Sequence, residues 1–260
     1  MLKYFFHSQL SFGIAECVVA ALLALFSMFL ARRRAPGLLK ELPLAELRGI
    51  VQIVAVGLIL AFMLRGPQWT SLLVLAAMML AAASIVRKRA KRIPRAYQLA
   101  LFSICAGAGV VLLIMIFFGV IPLEITMLVP VGSMVIANTM NTQSLFLDRL
   151  RGEVVSHAGE IESALALGAT AEVAVLPYLR AAFRASLIPS VDNIRSLGIV
   201  WIPGIMAGMV LSGASPVYAA LYQFVVLTTI FSAAALTCLV SSHLVTRRIF
   251  TAEDQLILRP

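Results

Sequence analysis

An acid and a base stand three residues apart inside an apolar stretch: Asp192 and Arg195, in SLIPSVDNIRSLGIVWIPGIMAGMVLSGASP, which runs from Ser186 to Pro216. On a helix that spacing puts both side chains on one face. An isolated charge inside a bilayer costs a few kcal/mol or more, so it is kept there for a reason. Three reasons are open: a self-neutralising pair, an arginine snorkelling to the headgroups, or two groups facing a water-filled cavity on a substrate path. Asn193 adds a polar group to the same turn. Asn138 and Asn141, in the preceding apolar stretch, match it in depth and can reach the Asp192 turn by hydrogen bonds; the alternative for them is polar glue between spans. Glu16, in the first apolar run, is a candidate proton or cation site. Met206, with Met209, Met127, Met134 and Met140, offers soft thioether ligands, although methionine in apolar spans is mostly filler. Any metal site is left unassigned. Cys17, Cys105 and Cys238 lie in separate runs and His7, His157 and His243 are scattered, so they form no cluster that could hold a metal. Pro189, Pro203-Gly204 and Gly208 are candidate hinge positions. A proline removes a backbone donor and clashes one turn back, which predicts a break or kink at Pro203-Gly204, of the kind transporters tolerate along a cavity.

The elements that would hold these residues follow from composition. Of 260 residues 61% are hydrophobic and 13% charged, against about 45–50% and 25% in ordinary globular chains. Too few charges remain to coat a water-soluble surface. The excess of +9 sits in short clusters between apolar runs, which marks topology rather than nucleic-acid binding. Seven spans of about 20 residues can be drawn, at roughly 9–31, 47–64, 69–86, 98–118, 122–147, 187–211 and 217–245. One side of them holds Arg32–Arg34, Lys40, Arg48, the run Arg87 to Arg95, Arg149, Arg151, Arg180, Arg184, Arg247, Arg248 and Arg259; the other holds only Lys3 and Arg65. Positive-inside then puts the N-terminus outside and the C-terminus in the cytoplasm, as an odd span count requires. The expectation is an all-α polytopic membrane protein, one transmembrane domain over 1–260.

The one substantial cytoplasmic segment, 148–185, carries Asp148, Glu153, Glu160, Glu162 and Glu172. Glu160 to Leu167 reads as a short helix stopped by Gly168. A second short helix follows Ala169, with Thr170 as its N-cap and Glu172 at the positive end of its dipole. Asp192 and Arg195 then lie one to three turns beyond this helix pair. No G-x-x-x-x-G-K-S/T phosphate loop, H-E-x-x-H or G-x-S-x-G occurs in the chain. Any energy source must come from another chain, so the protein is not expected to be an enzyme by itself.

The string E-S-A-L-A-L-G, Glu162 to Gly168, resembles the coupling loop of ABC-transporter permeases. From Leu187 on, L-I-P-S-V-D-N-I-R-S-L-G-I-V-W-I-P-G-I-M-A-G-M-V-L-S-G-A-S-P resembles the signature of the FetB-like permease family, linked to iron export in bacteria and aluminium tolerance in plants. Asp192, Arg195, Ser196, Gly198, Pro203, Gly204, Met206, Gly208, Gly213 and Pro216 carry that resemblance; Trp201, Ile202 and Ala207 depart from it. The resemblance implies a permease of the bacterial inner membrane, paired with a second copy of itself and with two copies of a cytosolic ABC ATPase. ATP and Mg would sit on that partner, with no cofactor in this chain. Glu160, Glu162, Gly168, Ala169 and Thr170 would receive the ATPase motion, and Asp192 and Asn138 would meet substrate. The cargo implied is a metal ion or a metal-related small solute. A small organic or nucleotide-sugar-like solute, a gradient-driven secondary transporter with Glu16 and Asp192 as a proton relay, and an intramembrane scaffold are the competing readings.

Overall fold

The computed structural model describes residues 9–33, 36–63, 66–90, 93–251 and 255–258. Lys3, His7, Arg34, Arg65, Lys91, Arg92 and Arg259, counted above for charge or chemistry, lie outside these. The described residues form helices joined by turns and short irregular segments, with isolated bridges at Leu197–Trp201 and Phe250–Leu256. The chain divides into two units between Gly66 and Pro67.

The first unit is a pair of helices, α1 (Gln9–Ala31) and α2 (Pro36–Met63). Their apolar side chains stay exposed along most of their length: Leu22, Phe26, Leu44, Ile53 and Phe62 all do. In water such faces would aggregate; in lipid they need no cover. α2 begins at Pro36 rather than near 47. Glu41, Pro43, Glu46 and Arg48 look like a loop in sequence, yet the helix runs through them.

The second unit holds α3 (Thr70–Arg89), α4 (Ala96–Ile104), a π-helical turn (Cys105–Gly109), α5 (Val110–Phe117), α6 (Ile125–Ser156), α7 (Ala158–Ala166), α8 (Ala171–Ser196), α9 (Gly204–Leu211) and α10 (Pro216–Ile249). Its core is built from Leu99, Ile104, Leu128, Phe146, Leu147, Leu150 and Ile249, all fully buried. Small residues let the helices close. The π turn, Cys-Ala-Gly-Ala-Gly, lies against α10 at Ala233–Thr237, where a Cβ on Gly107 would overlap the Thr237 hydroxyl and stand 2.8 Å from the Ala233 carbonyl oxygen. Between spans without a hydrophobic drive, such close backbone approach is what dispersion and polar contacts act through. Gln143 of α6 donates from Nε2 to Ser241 Oγ of α10 at 2.6 Å, fully buried. At the end of α10, Arg248 Nη1 donates to the Arg95 carbonyl at 2.7 Å. Ile257 N–H returns to the Ile249 carbonyl at 2.8 Å, tucking Leu256 and Leu258 into the core.

Five described helices are long and apolar enough to cross a membrane: Ser11–Leu30, Glu41–Met63, Thr70–Arg89, Ala96–Phe117 and Pro216–Ile249. The stretches expected as spans five and six are built differently. α6 continues from the apolar run straight into the charged segment, to Ser156. The second short helix expected after Thr170 is not separate: α8 runs unbroken through Pro177 and Pro189 to Ser196. Of the break or kink expected at Pro203-Gly204, the structure shows the break, and it extends back to Leu197. Helix stops at Ser196, Gly198 takes φ +74 with its N–H on the Trp201 carbonyl at 3.2 Å, and helix resumes at Gly204 behind Pro203 as N-cap. The isolated acid–base turn of the sequence is therefore the last turn of a long helix.

Candidate coupling turn and pathway helix

The turn between α7 and α8 is closed by local hydrogen bonds that its sequence dictates. α7 ends at Ala166, and Gly168 takes φ +91, a left-handed conformation that side chains disfavour. This lets the Gly168 N–H bond the Leu165 carbonyl at 3.0 Å and the Ala169 N–H bond the Ala164 carbonyl at 3.0 Å, the paired closure that satisfies the last carbonyls of a helix. Thr170 then caps α8, its Oγ1 accepting from the Val173 N–H at 3.4 Å, and Glu172 occupies the first turn. α7 is anchored from beneath by Ile161, 1% exposed, and from the side by Tyr178 of α8, whose hydroxyl donates to Glu160 Oε2 at 2.8 Å. The ring of His157 stacks on Tyr178 at 4.8 Å between centroids, and His157 Nδ1 donates to the Glu153 carbonyl at 2.8 Å. The hydrogen bond to Glu160 raises the Tyr178 pKa first, with burial and the charges of Glu160 and Glu153 adding to it. The phenol therefore stays protonated and remains a donor across the physiological range.

The predicted coupling residues thus divide by role. Glu160 ties α7 to α8, and Gly168, Ala169 and Thr170 shape the turn. Glu162 points away from the bundle, exposed. The most exposed apolar side chain of the turn is one that sequence reasoning passed over: Leu167, 89% exposed at its tip. Tyr178 and His157 were also missed as anchors, though an aromatic two turns into the helix after a glycine stop is a signal that can be searched for. Beside the first turns of α8, a cavity of about 430 Å³ is lined by Glu172, Leu176, Leu179, Leu239, Ser242, His243 and Thr246.

At the other end of α8 stand Asp192, Asn193 and Arg195, all exposed. Asp192 Oδ1 and Arg195 Nη1 are 3.8 Å apart, with side chains 61% and 77% exposed, a loose pair rather than a buried one. One face of α8, through Val175, Ala182, Ser186 and Ser190, is buried, and Phe183 packs edge-to-face on Phe146 of α6. The structure does not bring the asparagines to this turn by hydrogen bonds. Asn138 Nδ2 donates to the Met134 carbonyl of its own helix at 2.9 Å, and Asn141 is exposed. Met206 is half-buried on α9, while Pro189 lies inside α8 and Gly208 inside α9. Glu16 is exposed on α1, in the first unit. Among the described residues no three His, Cys, Asp or Glu side chains gather to hold a metal ion. Nor do Asp192 and Arg195 sit close to the α7–α8 turn: at 1.5 Å per residue, α8 carries them about 30–35 Å from Ala171. The expectation of one to three turns fails because the helix before them is continuous.

A family model described as "Uncharacterised protein family (UPF0014)" matches residues 14–250. The chain is 33% identical over 235 residues to "UPF0014 membrane protein YjkA" of Bacillus subtilis (strain 168), covering 89% of this chain and 93% of that protein. It is 29% identical over 241 residues to "Probable iron export permease protein FetB" of Escherichia coli (strain K12), covering 92% and 93%. It is 28% identical over 246 residues to "Protein ALUMINUM SENSITIVE 3" of Arabidopsis thaliana, covering 94% and 90%. No solved structure matches the chain. The resemblance carried by Leu187–Pro216 therefore extends over most of the chain, which belongs to the UPF0014 family of membrane proteins, the family of these FetB-like relatives.

Proposed function

We propose that this chain is the membrane subunit of an ABC transporter, exporting a metal ion or a metal-related small solute from a bacterial cell. In this reading two copies span the inner membrane, N-terminus outside and C-terminus inside, and each takes one cytosolic ATPase subunit that holds the ATP and Mg. α6 and α8–α9 complete the seven spans, with α8 entering the membrane beyond Arg184. The observation that carries the reading is the α7–α8 turn: a rigid, glycine-closed corner with an exposed leucine at its tip, continuous through α8 with the charged turn at Asp192. A push on the corner is delivered along one continuous helix. Asp192, Asn193 and Arg195 would face the substrate path, with Asn138, Asn141, Glu16 and Met206 as further lining groups. The interruption at Leu197–Pro203, with Gly204 behind it, would let α9 move separately, and Pro189 and Gly208 are the secondary bending points. Export and a metal-related cargo are supported by the name of the Escherichia coli relative, a probable iron export permease.

Gly168→Val tests the lever. A side chain in the left-handed region costs about 1–2 kcal/mol, more when branched, whereas nothing lies within 4 Å of a Cβ at 168 to disturb packing. The expected result in the assembled complex is ATP hydrolysis retained with transport per ATP reduced about tenfold or more. Unchanged coupling would remove the turn from the mechanism.

A further inference from the structure

We propose that the cavity between the end of α3 and the start of α4 is a headgroup site for an anionic phospholipid of the cytoplasmic leaflet. The cavity is about 520 Å³, lined by Arg87, Ala90, Ile93, Arg95, Ala96, Tyr97 and Gln98, a size typical of small-molecule sites. Its polar members are two guanidiniums, an amide and a phenol, all suited to phosphate oxygens; Arg87, Arg95 and Gln98 are exposed and Tyr97 half-buried. Its floor is apolar, since Ala90, Ile93 and Ala96 are each buried in the core. Neither arginine has an ion-pair partner among the described residues. None is available nearby in sequence either: no Asp or Glu occurs from Leu47 to Leu123, while Arg87 to Arg95 contains six bases in nine positions.

The rim is also built to hold its shape. Arg95 has φ 52, the only positive φ outside glycine among the described residues, and its carbonyl is fixed by Arg248 Nη1 at 2.7 Å. Non-glycine residues held in that region cluster at functional sites. Both flanking helices continue as apolar, membrane-length segments, so the guanidiniums stand where headgroups lie. Basic pockets between spans on the cytoplasmic side are the arrangement that recognises anionic lipids. A free phosphate would satisfy the guanidiniums but leave the apolar floor unused.

The inference rests on the proposed sidedness of the chain, but its test does not. The full chain in nanodiscs or detergent is titrated with phosphatidylglycerol, phosphatidylcholine and inorganic phosphate, and binding is read by native mass spectrometry. Phosphatidylglycerol should be retained by the unmodified protein, and phosphatidylcholine should not. Each base near an anionic surface contributes about fivefold, so R87Q/R95Q should bind phosphatidylglycerol about thirtyfold more weakly. R32Q/R33Q, with the same charge loss in the turn after α1, should bind normally. Equal retention of both lipids by the unmodified protein overturns the proposal without any variant needing to fold. So does an equal loss in R32Q/R33Q, or displacement of the lipid by inorganic phosphate at comparable concentration. A failure here would leave the transport reading untouched, because in nanodiscs both faces are accessible.

Discussion

Gly107→Ala should destabilise the second unit by about 3 kcal/mol, the upper part of the range for overpacking a close-packed site. The added methyl would overlap the Thr237 hydroxyl and come within 2.7 Å of the Thr237 nitrogen and 2.8 Å of the Ala233 carbonyl oxygen. Two of these three atoms are backbone, so no rotamer change relieves the contact; the π turn and α10 must part. At about 2–4 °C per kcal/mol for a unit of this size, the melting midpoint should fall by about 6–12 °C. Gly109→Ala, two residues on in the same turn, is the control. Its nearest neighbour is the Met79 terminal methyl at 3.8 Å, ordinary contact, and its effect should stay within about 0.5 kcal/mol. Thr237→Ala added to Gly107→Ala should recover only part of the loss, because the backbone contacts remain. Equal stability of the two alanine variants would contradict the close approach of α10 to the π turn.

Leu167→Asp should weaken capture of the ATPase subunit about thirtyfold or more. An apolar side chain 89% exposed on a rigid corner is what an interface hot spot requires, and truncating such anchors costs about 2 kcal/mol or more. The side chain makes no core contact, so the isolated chain should melt within about 1 °C of the unmodified protein. Affinity purification with the proposed ATPase subunit reads the first quantity and thermal unfolding the second. Full retention of the partner by Leu167→Asp would move the docking site off the α7–α8 turn.

Much of the architecture was legible because bilayer helices declare themselves by length and apolarity: Gln9–Ala31 and the body of Pro216–Ile249 follow directly from their runs. The Gly168 stop and Thr170 cap were legible because only glycine readily accepts the left-handed turn and a hydroxyl suits a helix start. What was hidden lay where local signals and tertiary context disagree. Pro177 and Pro189 look like boundaries, yet α8 passes both; packing of its buried face against α6 and α10 outweighs the lost hydrogen bonds. Leu197 to Ile202 is mostly apolar and reads as helix, yet Gly198 turns there and the helix breaks. Glu41 and Arg48 look like loop, yet α2 includes them. Leu167 is apolar and so reads as core; only the fold shows that it points outward. Asn138 was legible as polar glue but not as bonded to its own helix, since a side chain's choice between a neighbour and its own backbone is not written in spacing.

The account stands or falls on what drives flux. The chain and its ATPase, reconstituted together in liposomes, should move a metal or metal-chelate cargo only with hydrolysable ATP and Mg, and liposomes holding the chain alone should show no flux under a pH gradient. Gradient-driven flux through the chain alone, with no ATPase present, would contradict it and make the protein a secondary transporter.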